Sequence, residues 1–347
     1  MFLYLSIFIC ISILSFFPYQ KYLLKAIMIF LLLMCAFRSE FVDRDYTNYI
    51  TLIFESANNL FYPIEISFKV ISFIAVNMLG GYYFVFIIFA LISIYLKYNI
   101  IKKSSPFLLL SVLVYYSNTF LLQDMTQIRA GVAGAIVLYS VLQYAKNKNI
   151  MSFVMLIFLA STFHITTLLF FIVLAFDTNV VSRRYIFIYF LTLFGACCCY
   201  YAGVNFLTLL RYIPVSYVQY KFSDYISQSQ GADFVPVNIF SVTQLLHLLI
   251  VILSFIFSRK KILSRDKVLV IKIYSLSPLA FIILSSMPVF ALRVSELFAI
   301  SEIILLPFLP LLFRQKQFAK LAIIGICFIM FYINIYHLEI LNEYSAL

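Results

Sequence analysis

Long unbroken apolar runs, separated by short charged breaks, set the plan of this chain. Ten of them stand out: Phe2–Phe17, Tyr22–Phe37, Tyr82–Tyr98, Pro106–Leu122, Ile128–Ala145, Tyr185–Tyr201, Asn238–Ser258, Val268–Ser286, Ser295–Phe313 and Leu321–His337. Each approaches the about 20 residues that a helix needs to cross hydrocarbon. The runs are continuous and do not alternate, which excludes a transmembrane β-barrel. Phe2–Phe17 has no basic leader and no small-residue cleavage site, so it reads as a retained first span. The pattern predicts an all-α, polytopic integral membrane protein.

Two further apolar stretches need a decision. Ile64–Leu79 is separated from Tyr82–Tyr98 only by Gly80-Gly81. If both crossed, Lys97, Lys102 and Lys103 would lie outside, against the tendency of Lys and Arg to stay in the cytoplasm. Lys69 also stands four residues after Glu65, the spacing of a surface ion pair. Ile64–Leu79 is therefore expected to lie on, or re-enter from, the outer interface as an amphipathic helix. Met151–Phe176 is too long for one span, and a single crossing would put Arg183 and Arg184 outside. A split at His164 into two short helices is expected, with His164 near the outer surface. The sum is about 12 crossings with both termini outside. Residues 1–347 form one membrane domain, with outer loops at 38–81 and 202–237.

Composition agrees. The chain is 64% hydrophobic and 11% charged, where a soluble protein carries roughly a quarter of its residues as charged side chains. The net charge of +11 reports topology and does not imply nucleic acid. It collects in turns assigned to the inner side: Lys21 and Lys25 after Pro18, Lys146 and Lys148, Arg259–Lys267, and Arg314, Lys316 and Lys320. Trp is absent, so the 26 Tyr supply most of the interfacial belt. Cys10, Cys35, Cys197, Cys198, Cys199 and Cys327 lie in or beside apolar runs without CxxC spacing. They read as small buried side chains, with no disulfide framework.

Seven cations remain on the outer side: Arg38, Arg44, Lys69, Arg129, Arg211, Lys221 and Arg293. Guanidinium binds phosphate through two parallel hydrogen bonds and stays charged. Arg44 and Arg211 read as ordinary helix ends. Arg129 heads a helix whose Gly131, Ala133, Gly134 and Ala135 permit close packing, so that helix is expected inside the bundle. Arg293 follows Pro288, with Glu296 one turn on as a structural partner. Proton acceptors on the same side are Asp43, Asp45, Glu65 and His164, and His has a suitable pKa near neutrality. His247, three residues after Gln244, reads as an interhelical hydrogen bond. Glu302 in mid-span is a proton site of a transporter, or else neutral or paired. P-loop, GxSxG and HExxH motifs are absent, so no cofactor and no metal is expected. An enzyme built this way needs an activated substrate.

Gln127–Arg129, the small residues after it, a basic turn and then Phe163-His164 together resemble the EpsG family of exopolysaccharide proteins, which includes Wzy-type O-antigen and capsule polymerases. The first outer loop is also similar, with Arg38 before Asp45-Tyr46 and Tyr49, then Pro63–Phe68, although the family's Gly is missing there. Arg293 with Glu302–Pro307 completes the pattern. Arg44 before Asp45 and Ala130 after Arg129 depart from it. The resemblance implies a GT-C-like glycosyltransferase of the bacterial cytoplasmic (inner) membrane, with its active site facing the periplasm or exterior. It joins oligosaccharide repeat units carried on undecaprenyl diphosphate, both donor and acceptor, with membrane lipids and a chain-length regulator as partners and no nucleic acid. The outcome is O-antigen and lipopolysaccharide, capsule or exopolysaccharide. On this reading Arg38, Arg129 and Arg293 hold the diphosphate. Asp45, Glu65 or His164 takes the acceptor proton, and Tyr46, Tyr49 and Gln127 contact substrate. A flippase of the same lipid-linked sugars, coupled through Glu302, and an O-antigen ligase are the alternatives.

Overall fold

The computed structural model describes residues 1–17, 20–59, 61–203, 237–259 and 263–346. Pro18 of the first basic turn, Arg211, Lys221, nearly all of the loop 202–237, and Lys260 and Lys261 of the basic loop lie outside the described residues. Among the described residues the regular structure is helical: α1 (Phe2–Leu14), α2 (Gln20–Ala36), α3 (Tyr46–Asn58), α4 (Ile66–Phe73), α5 (Tyr83–Ser104), α6 (Leu108–Tyr115), α7 (Ile128–Asn147), α8 (Ile150–Ser161), α9 (Arg183–Tyr201), α10 (Val242–Ser258), α11 (Arg265–Ile283), α12 (Pro288–Ala299), α13 (Glu302–Phe308) and α14 (Lys316–Tyr332). Wider π-helical turns extend α4, α6 and α14, and a 3₁₀ stretch, Ile165–Ala175, follows α8.

Among the described residues four helices are long and apolar enough to cross a membrane: Tyr83–Ser104, Ile128–Asn147, Arg183–Tyr201 and Lys316–His337. The other apolar helices are shorter. Ser295–Phe313, expected as one span, is divided into α12, α13 and a 3₁₀ turn. Pro288 opens α12, where its missing N–H costs nothing, while Pro307 and Pro310 each remove a helical donor farther on. Ile66–Met78 is helical but short and packs against α3. Met151–Phe176 does break at His164, whose backbone is extended (φ −155°, ψ 113°) between α8 and the 3₁₀ stretch.

Helix ends follow the sequence. Asn149 caps α8 by accepting from the Ser152 N–H at 3.0 Å, and Ser182 caps α9 by accepting from Tyr185 at 3.1 Å. α7 is almost wholly buried among α5, α8 and α11, and two glycines explain how. A Cβ on Gly131 would lie 2.5 Å from Asp124 Oδ1, and one on Gly134 2.6 Å from Ile300 Cδ1.

Lys97 departs from expectation. It does not join Lys102 and Lys103 at a surface but is fully buried. Its Nζ lies 2.6 Å from Asp124 Oδ2 and 3.0 Å from Ser93 Oγ. Asp124 also accepts from Tyr115 Oη at 2.6 Å. A buried charge persists only when paired and hydrogen-bonded, and this pair is both. Asp124, which falls between the runs Pro106–Leu122 and Ile128–Ala145, is thereby drawn into the bundle.

Among the described residues two large apolar cores result, beside a small cluster of Ala196, Ile239 and Ile282. One gathers α1, α2, α6, α13 and α14. The other gathers α3, α4, α5, α7, α8 and α12, and the site described next opens at its edge.

Candidate active site

The chain between Arg38 and Glu65, expected as a polar loop, contains α3. Tyr46, Tyr49, Ile53 and Ser56 form its buried stripe, and Tyr46 stacks on Phe86 with centroids 4.4 Å apart and planes at 11°. Helical spacing carries Asp45, Asn48, Tyr49 and Leu52 to one side, where they wall a cleft of about 180 Å³. Gln127, Arg129 and Ala130 at the head of α7, His164 at the break, and Arg293 on α12 complete it.

Arg129 is partly buried. One of its Nη atoms donates to Glu65 Oε2, and its guanidinium lies 5.6 Å from the Phe68 centroid and 6.0 Å from that of Tyr49, within cation–π range. Its Nε is buried without an acceptor. Glu65 occupies the N-cap of α4 but caps nothing. Its other oxygen, Oε1, lies 3.5 Å from His164 Nδ1. A second tie holds these segments together: Ser67 N donates to Thr162 O at 3.1 Å, and their hydroxyls are 2.6 Å apart.

The electrostatics of the trio are asymmetric. Burial pushes the Glu65 carboxyl up, but the adjoining His164 imidazole and the Arg129 charge outweigh it and bring its pKa down to about 2. Burial pushes His164 below its ordinary value, and Glu65 only partly offsets that. Near neutrality the cleft therefore holds a carboxylate behind a neutral imidazole.

Arg293 has no acid within salt-bridge distance among the described residues. The pairing with Glu296 expected one turn on is not made. Asp45 is the N-cap residue of α3, yet its carboxylate makes no capping bond. Its backbone is engaged instead: the N–H donates to Asp43 Oδ1 at 2.9 Å and the carbonyl accepts from the Tyr49 N–H at 2.9 Å.

Six of the nine residues singled out from sequence thus line the cleft: Asp45, Tyr49, Gln127, Arg129, His164 and Arg293. Glu65 stands behind it. Arg38 and Tyr46 are elsewhere. Arg38 is fully buried, with Nε donating to Asp43 Oδ2 at 2.8 Å and Nη1 to Cys35 O at 2.7 Å. Tyr46 is fully buried against Phe86. Asp43 is consumed by Arg38 and offers no base. Asn48 and Leu52 were missed because α3 was read as loop, although the Tyr46–Tyr49–Ile53 period was there to find.

The other intramembrane candidates are bonded inside the bundle. His247 Nδ1 lies 3.0 Å from Tyr274 Oη, as the interhelical reading expects. Glu302 is fully buried and accepts from Asn118 Nδ2 at 2.8 Å. Asn334 in turn donates to Asn118 Oδ1 at 3.2 Å. Among the described residues no cluster of three His, Cys, Asp or Glu side chains could hold a metal ion.

In comparison with known proteins, the family model described as the EpsG family aligns with residues 21–345. No curated protein matches. No solved structure matches.

Proposed function

Because the chain belongs to the EpsG family, of polysaccharide-polymerase type, we propose that it is a glycosyltransferase that joins repeat units carried on undecaprenyl diphosphate at the outer face of the bacterial cytoplasmic membrane. The observation that carries this reading is Arg293, a guanidinium without an acid partner among the described residues, in the same cleft as Arg129 and His164, behind which Glu65 stands. Charge in or near hydrocarbon is costly unless it is met, and a diphosphate meets it.

In the proposed reaction a hydroxyl of the acceptor's terminal sugar attacks the anomeric carbon of the donor. The new C–O bond forms as the bond from the anomeric carbon to the diphosphate oxygen breaks. The lipid diphosphate leaves with the electron pair, and its developing charge is held by Arg293 and by the free edge of Arg129. Fixed donors aimed at developing charge are a large catalytic term. His164 takes the hydroxyl proton, oriented by Glu65 through Nδ1. The 3.5 Å separation is long for a working dyad, and such contacts tighten when substrate closes the site. Glu65 is engaged and set back, so it orients and does not itself receive the proton. A single displacement of this kind inverts the anomeric centre. The flippase reading rested on Glu302, which is hydrogen-bonded to Asn118 and does not line the cleft. About 12 crossings with this cleft outward remain part of the proposal.

Arg293→Ala is the test, because no partner acid is orphaned by it. In cells that depend on this chain for surface polysaccharide, the variant is expected at wild-type level in the membrane. Long chains should fall about 10²–10³-fold, the usual effect of losing one such donor, leaving single repeat units. Wild-type chain length would remove the anion site from the scheme.

A further inference from the structure

The two walls of the cleft differ in sign, and that difference assigns them to different substrates. The α7 and α12 wall carries Arg129 and Arg293. The α3 wall carries Asp45, Asn48 and Leu52 at helical spacing, with no cation. We infer that the α3 wall is the acceptor-sugar subsite, and that Asn48 helps to select which sugar and hydroxyl are presented to the reacting centre.

This rests on the reading of the cleft as a polymerase site. There, the acceptor enters by its non-reducing terminal sugar, whose own diphosphate lies a whole repeat unit away. The entering end is neutral. A phosphate would be repelled by Asp45, whereas a sugar hydroxyl finds complementary groups. The Asn48 amide offers both donors and an acceptor, and the Asp45 carboxylate accepts, so the two can serve neighbouring hydroxyls that each donate and accept. Neither side chain hydrogen-bonds to the described protein. Asn48 is exposed, and the Asp45 carboxylate does not cap its helix. Half-buried Leu52, one helical turn beyond Asn48, supplies an apolar surface for the C–H face of a pyranose. The wall is also held in place. Tyr46 and Tyr49 fix α3 against Phe86, stacked and edge-on respectively, and groups carried on a packed helix are presented more accurately than groups on a loop.

The test uses two probes on the purified full chain in detergent. One is the repeat-unit oligosaccharide released from its lipid by mild acid, which carries no phosphate. The other is inorganic pyrophosphate. Asn48→Ala should weaken oligosaccharide binding about tenfold, the usual cost of losing a good hydrogen bond, and change pyrophosphate binding less than twofold. Asn48→Gln, which keeps the amide, should recover part of the loss. Arg293→Ala should do the converse, weakening pyrophosphate and sparing the oligosaccharide. Unchanged oligosaccharide binding in Asn48→Ala, equal loss of both probes, or no oligosaccharide binding by the wild type would each overturn the subsite. Pyrophosphate binding indifferent to Arg293 would instead sink the polymerase reading beneath it.

Discussion

Arg38 and Arg129 are built from the same parts and put to different uses. Each follows or opens an apolar helix and meets a carboxylate, Asp43 or Glu65. Each lies over a Tyr and a Phe: Tyr46 and Phe86 for Arg38, Tyr49 and Phe68 for Arg129. The difference is what closes over them. Above Arg38 the chain end returns as a strap, in which Ser345 O accepts from Ser39 N at 2.9 Å and Val42 O from Asn342 N at 2.8 Å. Tyr344 Oη adds a bond to Met34 O at 3.2 Å. Among the described residues nothing comparable covers Arg129, which faces a cavity shared with His164 and Arg293. One arginine clasps the fold and the other is available to a ligand, and the residue types alone do not distinguish them.

Removing each arginine separates the roles most sharply. Arg38→Ala leaves Asp43 buried without its cation, and breaking one side of a buried pair costs about 3–5 kcal/mol. The expected outcome is a large fall in Tm and in membrane yield. Arg129→Ala should cost less stability, because Glu65 keeps His164 and the cleft admits water. A stable, abundant but inactive Arg38→Ala protein would break the comparison and return Arg38 to the substrate.

Exchanging the acids is the next largest test. Asp43→Asn should destabilise the clasp. Glu65→Gln should act mainly on the pH profile of polymerisation. His164 sits below its ordinary pKa of 6.5, so activity should hold through neutrality and fall on the acid side below that value. Glu65 raises the His164 pKa, so its loss, which also uncovers the Arg129 charge, moves the acid limb to still lower pH. The sign for stability runs the same way in both groups. His164 disfavours its proton in the fold, so stability is lost as pH falls below about 6.5. The depressed Glu65 stabilises the fold above 4.5, and that contribution is lost as pH falls toward about 2. A limb in the carboxylate range that ignores Glu65→Gln would make Asp45 the base.

Much of the cleft was legible because charge at the end of an apolar run is conspicuous. Arg129 and Arg293 stand out on that ground alone, the His164 break followed from span length, and Gln127 was marked by the family resemblance. What escaped depends on distant chain. Arg38 cannot be told from Arg129 without the returning strap, some 300 residues on. Lys97 looked like the start of a basic turn because its partner Asp124 comes from another helix. Asn48 and Leu52 escaped for a local reason. A short amphipathic helix in a polar segment, with tyrosines in its buried stripe, does not resemble a membrane span.

The smallest expected effect tests whether the strap works through backbone or through charge. Arg44, six residues after Arg38, is paired with Glu339 at 3.8 Å, but their side chains are 63% and 68% exposed. Such a pair contributes about 1 kcal/mol or less and is screened by salt. The bonds that seat the strap on Ser39, Phe41 and Val42 involve backbone groups and neutral side chains, which salt does not weaken. Arg44→Ala should therefore lower Tm only slightly in low salt and not at all in high salt, and Glu339→Gln should give the same result. A double variant no worse than either single one would confine the effect to this pair. A loss as large as that of Arg38→Ala would mean that charge, not the seated chain end, keeps the clasp shut, and the contrast between the two arginines would then rest on a surface ion pair.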